Sequence, residues 1–310
     1  MIAAMAKSLP TRKTVRDWIS WAENELDAAG VYCGHGTDNA LDEAAWLVGG
    51  ALGVAPDALE SKLGKSVTPT QRTAIENLVQ QRIATRKPTA YLLQEAWFAG
   101  LKFFVDERVI VPRSITGEYI VERFAPWIET KHVRRILDLC TGSGCMAIAC
   151  AAAFPAAEVD AADISDDALA VARINVERHR LGKRVRVLKS DLFAALAGER
   201  YDVIVTNPPY VGHTEMRSLP AEYRHEPTLA LESGRDGLEA ITRILAGAAT
   251  HLNPEGILIA EVGNSNEALQ SKFPHVPFLW LESAAGDDSV FMLTAAQLAE
   301  HRDRMRASKR

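Results

Sequence analysis

Apolar positions in the first third of the chain recur at helical spacing. Trp18, Trp21, Ala22, Leu26 and Ala29 precede Gly30. Ala45, Trp46 and Val48 lie in a second pattern, from about 42 to 52, that ends near Gly53. Ile75, Leu78, Val79 and Ile83 follow Thr68-Pro69 and stop before Pro88. Each spacing predicts an amphipathic helix, and Thr68-Pro69 predicts a start with a capping hydroxyl and a proline in the first turn. Between 91 and 111 the texture changes to aromatic and β-branched residues. The runs are Trp97-Phe98, Phe103-Phe104-Val105 and Val109-Ile110-Val111, and Asp106-Glu107 between the last two predicts a hairpin turning there. From about 134, strands expected at 135–139, 158–164, 185–190, 201–206 and 256–262 alternate with helices expected at 143–154, 166–180, 238–252 and 265–273. A last pair of runs, 278–282 and 289–294 across Gly286-Asp287-Asp288, reads as a hairpin. This order predicts an α/β fold: a doubly wound, mostly parallel sheet with an antiparallel strand at the end. The expected division is a small helical domain over 1–88, a connecting β-hairpin over 89–112 and the α/β domain over 113–310.

Candidate chemistry gathers where these strands end. Asp138-Leu139-Cys140-Thr141-Gly142-Ser143-Gly144-Cys145 follows the first strand and opens a helix. Its glycines let the backbone approach a ligand, and the helix start offers unpaired N–H groups. Asp163 ends the second strand, where a carboxylate can accept from two ribose hydroxyls. Asp191 ends the third, in Ser190-Asp191-Leu192-Phe193, placed to accept from an adenine amino group beside apolar neighbours. At the end of the fourth, Tyr201-Asp202-Val203-Ile204-Val205-Thr206 runs into Asn207-Pro208-Pro209-Tyr210. Two consecutive prolines carry no N–H and fix the backbone. They hold an amide side chain, bare carbonyls and an aromatic ring in a rigid cleft suited to a planar NH2 group. The glycine pattern also fits a dinucleotide fingerprint with Ala147 as its third small residue. The ordered series at Gly142–Gly144, Asp163, Asp191 and Asn207 favours S-adenosylmethionine, since ligands of open α/β sheets bind along that edge.

Bulk charge narrows the partners. The chain has 310 residues and a formal net charge of −5, which argues against an affinity built mainly on phosphate contacts. The tail Arg302, Arg304, Arg306, Lys309, Arg310 is basic but reads as a solvated, frayed terminus. Cys33, Cys140, Cys145 and Cys150 form no C-x-x-C pair, so no zinc or redox site is signalled and no metal is expected. Met1 to Lys7 lacks a signal-peptide apolar region, and the longest apolar run, Cys145 to Phe154, is too short for a bilayer. A soluble cytoplasmic protein is expected.

These residues resemble the seven-stranded S-adenosylmethionine-dependent methyltransferases that modify amino groups of amides or bases. Within them the chain is similar to the HemK/PrmB group of protein-(glutamine-N5) methyltransferases. The similarity runs through Tyr91-Leu92, Phe98 and Gly100, the linker Val111-Pro112-Arg113, the glycine loop and Asn207–Tyr210. It continues through Leu219-Pro220-Ala221-Glu222-Tyr223-Arg224-His225-Glu226-Pro227, Ala230-Leu231 and Gly234-Arg235-Asp236-Gly237-Leu238. Gly34-His35-Gly36-Thr37-Asp38-Asn39-Ala40, Cys140 and Glu261-Val262-Gly263-Asn264-Ser265 resemble the branch that methylates the third-numbered large-subunit ribosomal protein. The linker departs from the pattern. It reads Arg113-Ser114-Ile115-Thr116-Gly117-Glu118, where a proline after the serine and another small residue before the glutamate are expected.

The resemblance implies transfer of a methyl group to a glutamine side-chain nitrogen, with S-adenosylmethionine consumed and S-adenosylhomocysteine released. It implies that Asn207, Pro208, Pro209 and Tyr210 act on the amide. The Asn207 oxygen and the Pro208 carbonyl would accept its two N–H protons while Tyr210 packs on its plane. Asp138, Cys140, Thr141, Gly142, Ser143, Gly144, Asp163, Asp191, Leu192 and Asn207 would hold the methyl donor. His213 and Glu215 are expected in a loop over the substrate, and His225 and Glu226 as anchors of that loop; the role of Glu261 is open. The helical domain would recognise the substrate, a ribosomal protein or its assembly intermediate, with nucleic acid touched only through the ribosomal particle. Release factors, or less fittingly an adenine or guanine amino group in nucleic acid, are the alternative substrates.

Overall fold

A computed structural model describes residues 12–282, 286 and 288–307. The expectations for Met1 to Lys7, for Asp287 in the last hairpin turn and for Lys309 and Arg310 lie outside the described residues. The chain forms two compact units, Met1–Leu93 and Gln94–Arg310.

The first unit is helical, and its helices begin where side chains satisfy the free N–H groups. Thr14 and Asp17 form a reciprocal capping box at the head of helix Val15–Ala28, as do Thr68 and Gln71 before helix Pro69–Thr85. Asn39 caps helix Ala40–Leu52 by accepting from the Asp42 N–H at 2.9 Å. Trp18, Leu26, Leu47, Ile75 and Val79 pack the shared core. A polar cluster inside it escapes any apolar pattern. Glu43 accepts from Arg82 Nε (2.7 Å), Thr89 Oγ1 (2.7 Å) and Thr37 Oγ1 (2.5 Å), so the buried charges are mutually compensated.

The second unit carries strands β1 Ala96–Phe98 and β2 Leu101–Phe103, paired antiparallel. It also carries β3 Arg135–Leu139, β4 Glu158–Asp163, β5 Val185–Lys189, β6 Tyr201–Thr206, β7 Leu252–Glu261, β8 Leu279–Leu281 and β9 Val290–Thr294. Among the described residues the large sheet has seven strands in the order β5-β4-β3-β6-β7-β9-β8, with β9 antiparallel to its neighbours. β3, β4, β6 and the second half of β7 are almost entirely buried, as parallel strands covered on both faces must be. Helices Thr116–Val121, Cys145–Ala153 and Asp166–Arg178 contribute to the core on one face, and helices Glu239–Ala248, Asn266–Lys272 and Ala295–Glu300 to the core on the other. The α/β fold class expected from the sequence is thus observed. The strand order reverses between β3 and β6, and a crevice opens there at the carboxyl ends.

Four local expectations are corrected. The hairpin turns at Ala99-Gly100, not at Asp106-Glu107. Ala99 (φ 49°) and Gly100 (φ 74°) are both left-handed, the backbone that a tight two-residue connection requires. The run 109–111 forms no strand, because Asp106 closes a turn by accepting from Arg108 N and its guanidinium, and the Val111 N–H goes to Glu226 Oε1 at 2.9 Å. The helix expected to 252 stops at Ala248, and β7 begins at Leu252 with a register shift opposite β6. The tail is not frayed through 307: Arg302–Ala307 is helical, with Met305 fully buried in the sheet's core.

Candidate active site

The glycine loop is set by a buried carboxylate beneath it. Asp138 Oδ2 accepts from Thr141 Oγ1 (2.6 Å) and from the Ala147 N–H (2.9 Å), tying β3 to the start of the following helix. Asp138 is fully buried, and burial pushes its carboxyl up to about 7 against those two donors. A carboxyl raised on folding contributes stability that is fully present below its ordinary value of 3.8 and is lost as pH rises through about 7. Wild type is therefore expected to lose on the order of 2 kcal/mol between pH 5 and pH 8 that Asp138→Asn does not lose. Denaturant unfolding of both proteins at the two pH values checks this; parallel pH profiles would remove Asp138 as the source.

The loop and the second strand end are joined through Asp163. Its Oδ2 accepts from the Gly142 N–H and its Oδ1 from the Ser165 N–H, both at 2.9 Å. Burial raises this carboxyl, and the backbone donors partly offset the rise. One cavity is lined by Cys140, Gly142, Asp163, Asp191, Leu192 and Asn207, with Pro209 beside them. Asp138, Thr141, Ser143, Gly144, Pro208 and Tyr210 do not line it. Asp138, Thr141 and Ser143 are buried under the loop, and Asn175 Nδ2 holds the Ser143 carbonyl at 2.9 Å. Asp191 is engaged: both its oxygens lie 2.8 Å from Arg243 Nη2. The cavity also contains residues that the sequence reading missed. Ile164 and Leu229 are 45% and 58% exposed apolar side chains on its wall, and Arg108 and Arg243 bring charge. Ile164 directly follows Asp163 at a strand end, which was a usable signal; Leu229, in the single 3-10 turn Thr228–Ala230, and Arg108, in a loop, belong to no periodic pattern.

Asn207 stands half-buried at the end of β6, whose Thr206 hydroxyl donates to the Leu139 carbonyl on β3 at 2.8 Å. The motif is then fixed from behind. Ser265 Oγ donates to the Tyr210 carbonyl at 3.2 Å, and the Tyr210 ring lies flush on the backbone of Gly263. A Cβ at Gly263 would fall 2.4 Å from Tyr210 Cε2, at a φ of 49° that side chains rarely adopt. Gly263→Ala is expected to displace the ring, at roughly 1–3 kcal/mol of strain, and to lower kcat more than methyl-donor affinity. Steady-state kinetics with parallel donor binding tests it, and an unchanged kcat would free Tyr210 of any positional demand.

Two carboxylates secure the linker that borders this cleft. Glu226 is fully buried at its side chain and takes a two-pronged contact from Arg113, Nη1 to Oε1 at 2.5 Å and Nη2 to Oε2 at 2.8 Å. Burial opposes the Arg113 charge, but Glu226 outweighs it and holds the guanidinium above its usual range. Glu261, at the end of β7, accepts from Ser114 Oγ and, at 3.4 Å, from Thr116 Oγ1. Burial raises the Glu261 carboxyl against these donors and the Arg113 charge. The linker's two departures thus have local roles: Ile115, in place of the expected proline, packs against the core on one face of the sheet, and a Cβ on Gly117 would sit 3.1 Å from the Phe98 ring. His213 pairs with Glu232 Oε1 at 2.8 Å, and neither His213 nor Glu215 lines the cavity. His225 Nδ1 lies 3.1 Å from Glu107 Oε1.

Residues 17–93 match the family model of the PrmC N-terminal domain, and residues 121–222 that of the methyltransferase small domain. Along nearly its whole length the chain is similar to proteins named ribosomal protein uL3 glutamine methyltransferase. The one from Francisella tularensis is 47% identical over 291 residues, 94% of this chain and 93% of that protein. The one from Bordetella pertussis is 47% identical over 287 residues, 92% of this chain and 96% of that protein. The chain belongs to this family. It is a methyltransferase, and the Neisseria meningitidis member, 46% identical over 92% of this chain, extends the same kinship. No helix among the described residues is long and apolar enough to cross a membrane.

Proposed function

We propose that the chain methylates the N5 side-chain nitrogen of a glutamine in ribosomal protein uL3, acting in the cytoplasm on the free protein or an assembly intermediate. The observation that carries this reading is its kinship to the uL3 methyltransferases, which spans 94% of the chain and therefore both compact units. The methyl donor is S-adenosylmethionine, which supplies an electrophilic methyl on a sulfonium sulfur. The cavity suits it: Asp163 offers a carboxylate to the ribose hydroxyls, and Cys140 and Gly142 bring the backbone of the glycine loop, which Asp138 holds, up to its wall. Asp191, braced by Arg243, and Leu192 border the adenine end, with Ile164 as an apolar wall.

An amide nitrogen is a weak nucleophile because its lone pair is shared with the carbonyl. Asn207 Oδ1 and the Pro208 carbonyl accept its two N–H protons and aim the nitrogen, and Tyr210 covers the amide plane. Holding reacting partners in such a geometry is worth on the order of 7–11 kcal/mol. The displaced proton leaves to water. Glu261 shapes the pocket by fixing Ser114 and Thr116, and the helical unit serves substrate recognition.

Asp163→Ala is expected to weaken donor binding by roughly ten- to a hundred-fold, the loss of one or two charge-assisted bonds. Calorimetric titration with S-adenosylhomocysteine reads it, and unchanged affinity would take Asp163 out of the ribose role. The substrate is tested with labelled S-adenosylmethionine and an undermethylated ribosomal lysate. Label in uL3 alone supports the reading; label in release factors or in RNA overturns it.

A further inference from the structure

The net charge of −5 conceals one strongly basic stretch. Between Arg173 and Lys189 the sequence carries seven Lys or Arg and a single acid, Glu177. The fold gathers this stretch on one border of the catalytic unit. It spans the end of helix Asp166–Arg178, a turn through Arg180 (φ 58°) and β5, the edge strand of the sheet.

Some of these cations are already used. Arg184 donates to the carbonyls of Ala151 and Phe154 at 2.8 and 3.3 Å. Arg186 is neutralised by Asp160, with two contacts of 2.7 Å, and Lys189 pairs with Asp166. Arg173, Arg180 and Lys183 have no such partner among the described residues. All three line an open groove between the helix and β5, floored by Val185 and Val187, with Glu177 as its only acid. Cations on an edge strand discourage unwanted strand pairing. That accounts for Arg186 and Lys189, but not for Arg173 on the helix or for Arg180 and Lys183 in the turn.

We infer that this groove docks the phosphodiester backbone of RNA. Unpaired cations over a shallow apolar floor give attraction without base-specific pockets, which is the pattern of backbone binding. The edge strand adds backbone N–H groups with no partner in the sheet, and phosphate oxygens can accept from them. The groove lies towards the amino ends of the parallel strands, away from the Asn207 cleft at their carboxyl ends, so RNA held there leaves the cleft open. The inference rests on the uL3 reading only for the source of the RNA, the ribosomal RNA against which a ribosomal protein is assembled. It also revises the expectation that nucleic acid is met only indirectly.

The test is fluorescence anisotropy of a short labelled single-stranded RNA of mixed sequence, titrated with the full chain between roughly 50 and 200 mM salt. Three phosphate contacts predict a slope of about −2 in log affinity against log salt. The triple variant Arg173→Glu/Arg180→Glu/Lys183→Glu is expected to lose at least about tenfold in affinity and most of that slope. The neutral variant Arg173→Gln/Arg180→Gln/Lys183→Gln, which keeps side-chain length, is expected to fall between. Equal RNA binding by wild type and both variants, or tighter binding of a polyglutamate peptide than of RNA, overturns the inference. Methylation of free uL3 by the variants is expected to match wild type. A failure of RNA binding therefore leaves the glutamine reading standing, and a failure of glutamine methylation leaves the groove standing.

Discussion

Asn207→Ala is expected to lower kcat by roughly thirty- to nine-hundred-fold, with S-adenosylmethionine affinity kept within a few-fold. The figure follows from losing one oriented acceptor, worth about 2–4 kcal/mol in sites that stabilise developing charge, with each 1.36 kcal/mol a factor of ten. Asn207 lines the cavity, whereas Pro208 is buried and Tyr210 is held against Gly263 behind it. The side chain can therefore be removed without disturbing what fixes the motif. The loss belongs in the chemical step, because the glycine loop and Asp163 keep their own hydrogen bonds. Single-turnover rates with donor-binding constants measure both quantities. A near wild-type rate would end the amide-clamp account, and an equal loss in both would mean that Asn207 chiefly binds the donor.

The second large effect is on stability. Glu226→Ala leaves the Arg113 guanidinium without its counter-charge and the Val111 N–H without its acceptor. Breaking such a pair by removing one partner costs about 3–5 kcal/mol, a large part of the roughly 5–15 kcal/mol that a folded domain has. Arg113 is one-fifth exposed at its side chain, so water relieves part of the penalty and the lower end is expected. Glu226→Gln still accepts from Val111 and should cost less. The double replacement Arg113→Met/Glu226→Leu should recover most of the loss, since an apolar pair has no charge to desolvate. Denaturant unfolding of the four proteins decides it. A single variant as stable as wild type would show that the fork does not hold the linker. The same contact ties the linker to 220–227, whose Pro227 lines the cavity, so a lowered kcat should accompany the instability.

Much of this was legible in the sequence because the deciding features are local. An apolar run marked β6, the alternation of strand and helix patterns marked β3 and β4, and strand ends announced themselves through Gly142, Asp163, Asp191 and Asn207. What was illegible depends on partners distant in the chain. Val109-Ile110-Val111 has the composition of a strand, yet its N–H is claimed by Glu226, more than a hundred residues away. Ala99 in a left-handed turn contradicts the preference of alanine, so no turn signal existed there. Glu43 and Arg82 look like surface charges on two amphipathic helices and are instead buried together. Asp191 reads as a free strand-end acid until the fold brings Arg243 against it. The basic groove was hidden because net charge averages over the whole chain.

The most direct measurement is tandem mass spectrometry of full-length uL3 after reaction with S-adenosylmethionine, with wild-type enzyme and with Asn207→Ala in parallel. The account predicts one added methyl group, on a glutamine side-chain nitrogen, present with wild type and nearly absent with the variant. A methyl group on any other residue type, or equal methylation by the two proteins, would contradict it.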